Sequence, residues 1–284
     1  MLYECHGHIM MDGRSYKDAA DRHRSGPDEA AVRQALSDLA GAGVGYFRDG
    51  GDPFGVSLMA KELAPEYGIE YVSCAFAIHK KGCYGSIVGK AYSDLAEYRA
   101  LLKKAAEMGA QYIKIMLSGL IDFETYGKIT GTARDREHIR DITTAAHDMG
   151  FAVMVHVNGA EAVRDAADCG VDSVEHGCYA DSEAVDAMRC GDVVWVPTLA
   201  AINAFCGREG VSPGVPERII QAHMEAVCMA ARAGVRIACG SDSGAVGVPH
   251  GPGTVREREL LGKAGLADAD IDAASEEIRR RFRR

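Results

Sequence analysis

Short apolar, β-branched runs recur along the whole chain and alternate with segments of helical period. The runs are LYECHGHIM (2–10), VGYFRDG (44–50), IEYVSCAFAI (69–78), QYIKIML (111–117), FAVMVHVN (151–158), DSVEHG (172–177), DVVWVPTL (192–199) and VRIACGSD (235–242). Between them, PDEAAVRQALSDLAGAG places Pro27 at a helix opening and ends in glycines, and SDLAEYRALLKKAAEMGA starts with Ser93 as a cap and also stops at a glycine. REHIRDITTAAHDMG, AEAVRDAADCG, SEAVDAMRCG and PERIIQAHMEAVCMAARAG repeat the form. Helix, glycine, apolar strand is the grammar of a parallel βα sheet. Eight such units predict an α/β fold, a closed (β/α)8 TIM barrel, with an open doubly wound sheet as the alternative. The chain's 284 residues fit one barrel domain, 1–284. GAGVG (41–45) superficially matches a dinucleotide loop, but it follows a helix and precedes a strand, the wrong order for a phosphate-binding turn.

Composition narrows the class. A hydrophobic content of 47% suits a sizeable core, and 33 glycines suit many tight connections. The formal charge of −9 argues against nucleic acid or an anionic membrane as partner, so a small-molecule substrate is expected, with homo-oligomerisation left open. No signal-peptide pattern and no apolar run long enough for a membrane span occurs. The nine cysteines form no CxxC pair, and their odd number predicts reduced thiols and a cytoplasmic location. The closing RRRFRR reads as a solvated basic tail.

In a barrel the C-terminal ends of the strands face the active site. His6 and His8 stand in the first run, Lys114 in the fourth, His156 in the fifth, His176 in the sixth and Asp242 in the eighth. Residues two apart on a strand share a face, about 6.6–6.8 Å apart, so His6 and His8 suit one ion, or else a pair of satisfied interior histidines. Lys114 shares its face with Tyr112 and Met116 on a strand covered from both sides. An unpaired ammonium there costs several kcal/mol and tends to lose its proton. A neutral lysine reacts with carbon dioxide to give a carbamate, an anionic bridge for two ions; the alternative is a buried salt bridge to Asp122 or Glu124. Asp242, in CGSDSG, has small neighbours that leave room for an ion and its water, or it caps the following loop. Taken singly each residue has an ordinary structural use. Five strands delivering such groups to one rim is the more specific observation.

This set resembles the amidohydrolase superfamily of metal-dependent hydrolases. GVGYFRDGG, GAQYIKIMLSG, VHVNGAEAV, GVDSVEHGCYADSEAV, WVPTL and ACGSDSG are similar to the branch holding imidazolonepropionase-like amidohydrolases and metal-dependent Xaa-Pro and Xaa-Arg dipeptidases, from about residue 4 to about residue 251. The resemblance implies one ion on His6, His8 and Asp242, a second on His156 and His176, and carboxylated Lys114 between them. Zinc is the ion expected for these ligands, one or two per chain, with other divalent metals as alternatives. It further implies hydrolysis of an amide bond by a metal-activated hydroxide, with Asp242 as the catalytic proton carrier. Three departures stand out. The branch's accessory β-sandwich is expected to be absent, since the first ligand is residue 6. Asn158 stands where the branch often has a second histidine. Glu4 stands where the branch has aspartate, and is expected to orient an imidazole as a carboxylate acceptor.

The expected substrates are a dipeptide, an N-acyl amino acid or a cyclic amide. A lactonase or phosphotriesterase uses nearly the same ligands and is the alternative enzyme; a silent metabolite-binding barrel is the alternative of another class. A deaminase is disfavoured because Gly159, not glutamate, follows His156 by three residues, and a serine hydrolase because GSDSG centres on Asp242 rather than serine. Candidate substrate contacts are His79, Lys80, Lys81 and Tyr84 in HKKGCYG, Tyr126, and His250 in GVPHG. The cations in HKKGCYG predict a carboxylate beside the scissile group.

Overall fold

The computed structural model describes residues 1–131 and 133–283. The strands are β1 (Leu2–Gly7), β2 (Val44–Asp49), β3 (Glu70–Ser73), β4 (Ala77–Lys80), β5 (Gly89–Tyr92), β6 (Ile113–Met116), β7 (Val153–Val157), β8 (Ser173–His176), β9 (Val194–Val196) and β10 (Arg236–Ile237). The α-helices are α1 (Tyr16–Arg22), α2 (Glu29–Gly41), α3 (Val56–Leu63), α4 (Leu95–Glu107), α5 (Arg136–Asp148), α6 (Ala160–Asp168), α7 (Ser182–Cys190), α8 (Leu199–Asn203), α9 (Val215–Ala233), α10 (Pro252–Lys263) and α11 (Asp268–Arg281). Side-chain carboxylates start several of them. Asp28, Asp94, Asp135 and Asp181 each accept the backbone N–H three residues on. The cap of α4 thus lies one residue beyond the expected Ser93, and α2 opens at Glu29 rather than at Pro27. The Ser93 N–H instead donates to the Glu97 carboxylate.

All strand pairs are parallel, in a three-stranded sheet β1-β2-β3 and a seven-stranded sheet β10-β9-β8-β7-β6-β4-β5. Backbone bonds join the two sheets into one ring. The Gln111 N–H donates to Ser73 O (2.9 Å), the Cys5 N–H to Cys239 O (2.8 Å) and the Asp242 N–H to His6 O (2.8 Å). The architecture is the expected TIM barrel. One predicted strand differs: 69–78 is split between β3 and β4. Ala75 turns left-handed at φ 63°, and its N–H is taken by the Ser73 hydroxyl at 2.9 Å. β5, which the apolar pattern did not mark, pairs along β4.

The period of two divides the core. Tyr112, just before β6, and Met154 of β7 point inward with Cys5, Tyr46, Val196 and Ala238. Ile113, Ile115, Val153 and Val155 point outward against Ile139 and Ile142 of α5. The C-terminal segment plugs the bottom of the barrel, so the closing run is only in part the solvated tail expected: Arg280 and Arg283 are exposed, and position 284 lies outside the described residues. Ala274, Ile278 and Phe282 join the interior cluster, and Phe282 is fully buried. Arg279 pairs with Glu70 at 2.7 Å and Arg281 with Asp192 at 2.5 Å. Phe282 supplies the apolar contact that draws the basic run onto the fold.

Glu4 fastens β1 to the segment that follows β10. Its carboxylate, fully buried, accepts from the His6 N–H (3.2 Å), the Ser241 N–H (2.7 Å), the Ser241 hydroxyl (2.5 Å) and the Thr254 hydroxyl (2.5 Å). Burial pushes its pKa up to about 7 against these donors. Glu4→Ala, which leaves four buried donors without an acceptor, is expected to cost about 3 kcal/mol in urea unfolding, and Glu4→Gln clearly less, since its amide keeps the shape and one acceptor oxygen. Equal losses for the two variants would assign the effect to something other than hydrogen bonding.

Candidate metal centre

The upper end of the barrel gathers the six groups that the sequence marks. His6 Nε2 and His8 Nε2 lie 3.6 and 3.7 Å from Asp242 Oδ1. One ligand atom from each of these three residues falls within 4.8 Å of the others. Lys114 Nζ is 3.4 Å from His6 Nε2. The rings of His156 and His176 are 4.6 Å apart, and that of His176 is 4.9 Å from His6. Two of the residues reach the site through unusual backbone. His176 and Asp242 are left-handed, at φ 64° and 62°. On β8 this lets His176 turn into the site although Glu175, its neighbour, already faces inward. His8 needs room as well: a Cβ at Gly50 would lie 2.2 Å from its Cε1, so only glycine fits there.

Three of the imidazoles have one nitrogen tied and the other left for the site. His6 Nδ1 meets Glu175 Oε2 at 2.7 Å, His176 Nδ1 meets the Thr198 hydroxyl at 2.7 Å, and His156 Nε2 meets Gly119 O at 3.1 Å. Such partners fix ring orientation and raise ligand basicity. Burial, reinforced by the Lys114 charge, pushes His8 and His156 down to about 3. His6 and His176 are pushed well below the usual imidazole range, mainly by burial. Burial likewise brings Lys114 down to about 8, against the pull of Glu175 and Asp242. Asp242 rises to about 6, through burial opposed by Lys114. Neutral imidazoles, a carboxylate and a lysine that deprotonates near neutrality form a donor set that fits divalent metal ions.

Glu175 and Arg48 were not singled out in the sequence. Arg48 donates to Glu175 Oε1 at 2.8 Å, to the Ser173 hydroxyl at 2.9 Å and to Cys5 O at 2.6 Å, and both charged groups are fully buried. The signal was the one that marked Lys114, a charge inside an apolar strand run: Arg48 in VGYFRDG and Glu175 in DSVEHG. Glu175 also takes the part expected of Glu4. Glu4 reaches only the backbone of His6, because its carboxylate is held by Ser241 and Thr254. Nor does Lys114 form the alternative salt bridge. Asp122 pairs with Lys128, and Glu124 accepts from Ser212.

A cavity of about 310 Å³ opens above the cluster. Of the candidate substrate contacts only Tyr84 lines it, with its ring 5.1 Å from His156. Lys80 turns away to donate to Ser93 O at 2.7 Å, and Lys81 is exposed outside the cavity. His79 is buried with Nδ1 on Lys80 O at 3.0 Å. Tyr126 lies under the Arg218 guanidinium at 3.7 Å. Both ring nitrogens of His250 are engaged, with the Ser243 hydroxyl (2.7 Å) and Met11 O (2.8 Å). Asn158 lines the cavity but is tied down, its Nδ2 donating to Gly119 O (3.2 Å) and its Oδ1 accepting from the Cys178 N–H (3.1 Å). Among the described residues no helix is long and apolar enough to cross a membrane.

Known proteins are similar to this chain in sequence and in fold. Ochratoxinase of Aspergillus niger is 26% identical over 259 residues, which is 88% of this chain and 48% of that protein. The chain therefore spans about half the length of the curated relatives it matches. The crystal structure of a Xaa-Pro dipeptidase with bound methionine in the active site superposes with a TM-score of 0.80 at 23% identity, over 99% of this chain and 74% of that one. The crystal structure of A. niger ochratoxinase superposes with a TM-score of 0.74 at 19% identity, over 96% and 69%. At these identities the superpositions speak for the fold alone. The model of the amidohydrolase family matches residues 2–266, from β1 to the residues after α10, so the chain belongs to the amidohydrolase family.

Proposed function

We propose that this chain is a metal-dependent hydrolase of an amide bond in a small molecule. The observation that carries the reading is the convergence of His6, His8 and Asp242 within 4.8 Å beside a buried lysine and a second histidine pair. Family membership supports the reaction class. His6, His8 and Asp242 would hold one zinc ion, and His156 and His176 a second, with carboxylated Lys114 between them. Bound there, divalent ions supply the Lewis acidity that makes a water nucleophilic near neutral pH and polarises the scissile carbonyl.

The chain's own residues do the rest. Lys114, buried and brought down to about 8, keeps a neutral fraction whose Nζ lone pair adds to carbon dioxide with loss of one proton, giving the anionic carbamate. Asp242, raised to about 6, takes the proton of the attacking water and returns it to the leaving nitrogen. Glu175 accepts from His6 and holds its Nε2 toward Asp242. Arg48 in turn fixes Glu175.

Elemental analysis of protein purified with zinc and bicarbonate is expected to find more than one ion per chain, and Lys114→Ala is expected to lose the second while staying folded. Full occupancy and turnover in Lys114→Ala would make the lysine structural. Asp242→Asn is expected to keep much of its metal and to lose about 10²–10⁴-fold in kcat on amide substrates. A parallel loss of metal and activity would leave Asp242 a ligand without proton transfer. Glu175→Gln is expected to weaken zinc binding about 10–100-fold in chelator competition, because the amide is a poorer acceptor for His6. Unchanged affinity would rule out this positioning role.

A further inference from the structure

The walls above the ligands differ from the floor. Tyr84, Met116, Phe123, Ile202 and Phe205 form them. Phe123 and Phe205 stack face to face, with centroids 4.1 Å apart and planes at 16°, which gives the wall a flat aromatic panel. The apolar surface continues to the mouth. Tyr16 and Leu120 line the cavity, yet they are 51% and 44% exposed. Large apolar side chains placed together at a cavity rim in water mark a binding surface.

Among the described residues lining the cavity, Lys114 is the one lysine or arginine, and it lies at the floor among the metal-ligand candidates. The Lys80 ammonium, which the sequence offered as a carboxylate anchor, is spent on Ser93 O and the Tyr92 ring. The amide of Asn158 is tied at both ends. What is left on the walls is the phenols of Tyr16 and Tyr84, neutral groups that do not offset a buried charge. The net charge of −9 adds long-range repulsion of anions. A free carboxylate held against these walls, above the ligand cluster, would be desolvated without a lysine or arginine to receive it.

We infer that the substrates are neutral amides with bulky, flat apolar groups, recognised by the aromatic wall, and that a carboxylate beside the scissile bond counts against binding. This rests on the hydrolase reading and deepens it. It reverses the expectation drawn from the HKKGCYG loop. Selection by an apolar wall gives a graded response, about fourfold in kcat/KM for each added methylene that becomes buried.

A matched pair of compounds tests the inference. N-phenylacetyl-phenethylamine and N-phenylacetyl-phenylalanine differ only by the carboxylate. Zinc-loaded protein is expected to hydrolyse the neutral amide at least tenfold better in kcat/KM, and Leu120→Arg, a change at an exposed rim position, is expected to narrow that ratio. Calorimetric binding of both compounds to zinc-loaded Asp242→Asn separates recognition from turnover. Tighter binding of the neutral compound with no hydrolysis by the wild type would uphold the substrate class and overturn the hydrolase reading. Hydrolysis of both with equal or better use of the carboxylate compound would overturn the substrate class and leave the hydrolase reading standing. Equal binding of both to Asp242→Asn would also overturn the substrate class.

Discussion

One buried guanidinium ties the barrel together beneath the site. Arg48 leaves β2, donates to Cys5 O on β1 and to Ser173 and Glu175 on β8, and lies 4.3 Å from the Phe282 ring at the end of α11. Strands on different sides of the ring and the plug at its base are thereby held by a single side chain. A buried ion pair adds little net stability, because desolvation offsets most of the Coulomb attraction. Its consequence is positional. Glu175, fixed by Arg48 and Ser173, sets the orientation of His6, and His6 borders Asp242, Lys114 and His176. The site is built on this contact rather than on the loops above it.

The same burial governs the chemistry of the upper end. With no water to stabilise charge, the imidazoles stay neutral, the lysine loses its proton more readily and the aspartate holds one more readily. These shifts all follow from packing polar groups at the top of an apolar barrel. Each runs in the direction that a metal-binding, proton-transferring site needs. The charged and metal-ligand groups lie at the floor, and the walls above them are mainly apolar.

The barrel was legible because buried parallel strands are written as continuous apolar runs, and Lys114, His156 and Asp242 stand out against them. The split at Ala75 was not, because its turn depends on a left-handed residue and on Ser73, neither of which interrupts the apolar pattern. His176 was legible as a residue but not in its direction, since alternation assigns the inward face to Glu175. Glu175 and Arg48 were missed because each gains meaning from the other, and they stand 127 residues apart. The HKKGCYG loop misled for a related reason. Charge in a loop shows a cation, and only the fold shows that Lys80 turns onto Ser93. The run of arginines gave no sign that Phe282 among them enters the barrel and that Arg279 and Arg281 pair with Glu70 and Asp192.

The proposed two-ion centre, bridged through Lys114, rests on the cluster held by Glu175 and Arg48. Anomalous diffraction at the zinc absorption edge, from crystals grown with zinc and bicarbonate, tests it most directly. One peak is expected among His6, His8 and Asp242, a second beside His156 and His176, and added density on Lys114 Nζ between them. Unmodified Lys114 paired with Glu175 or Asp242, with no peak within bonding distance of the histidines, would contradict it.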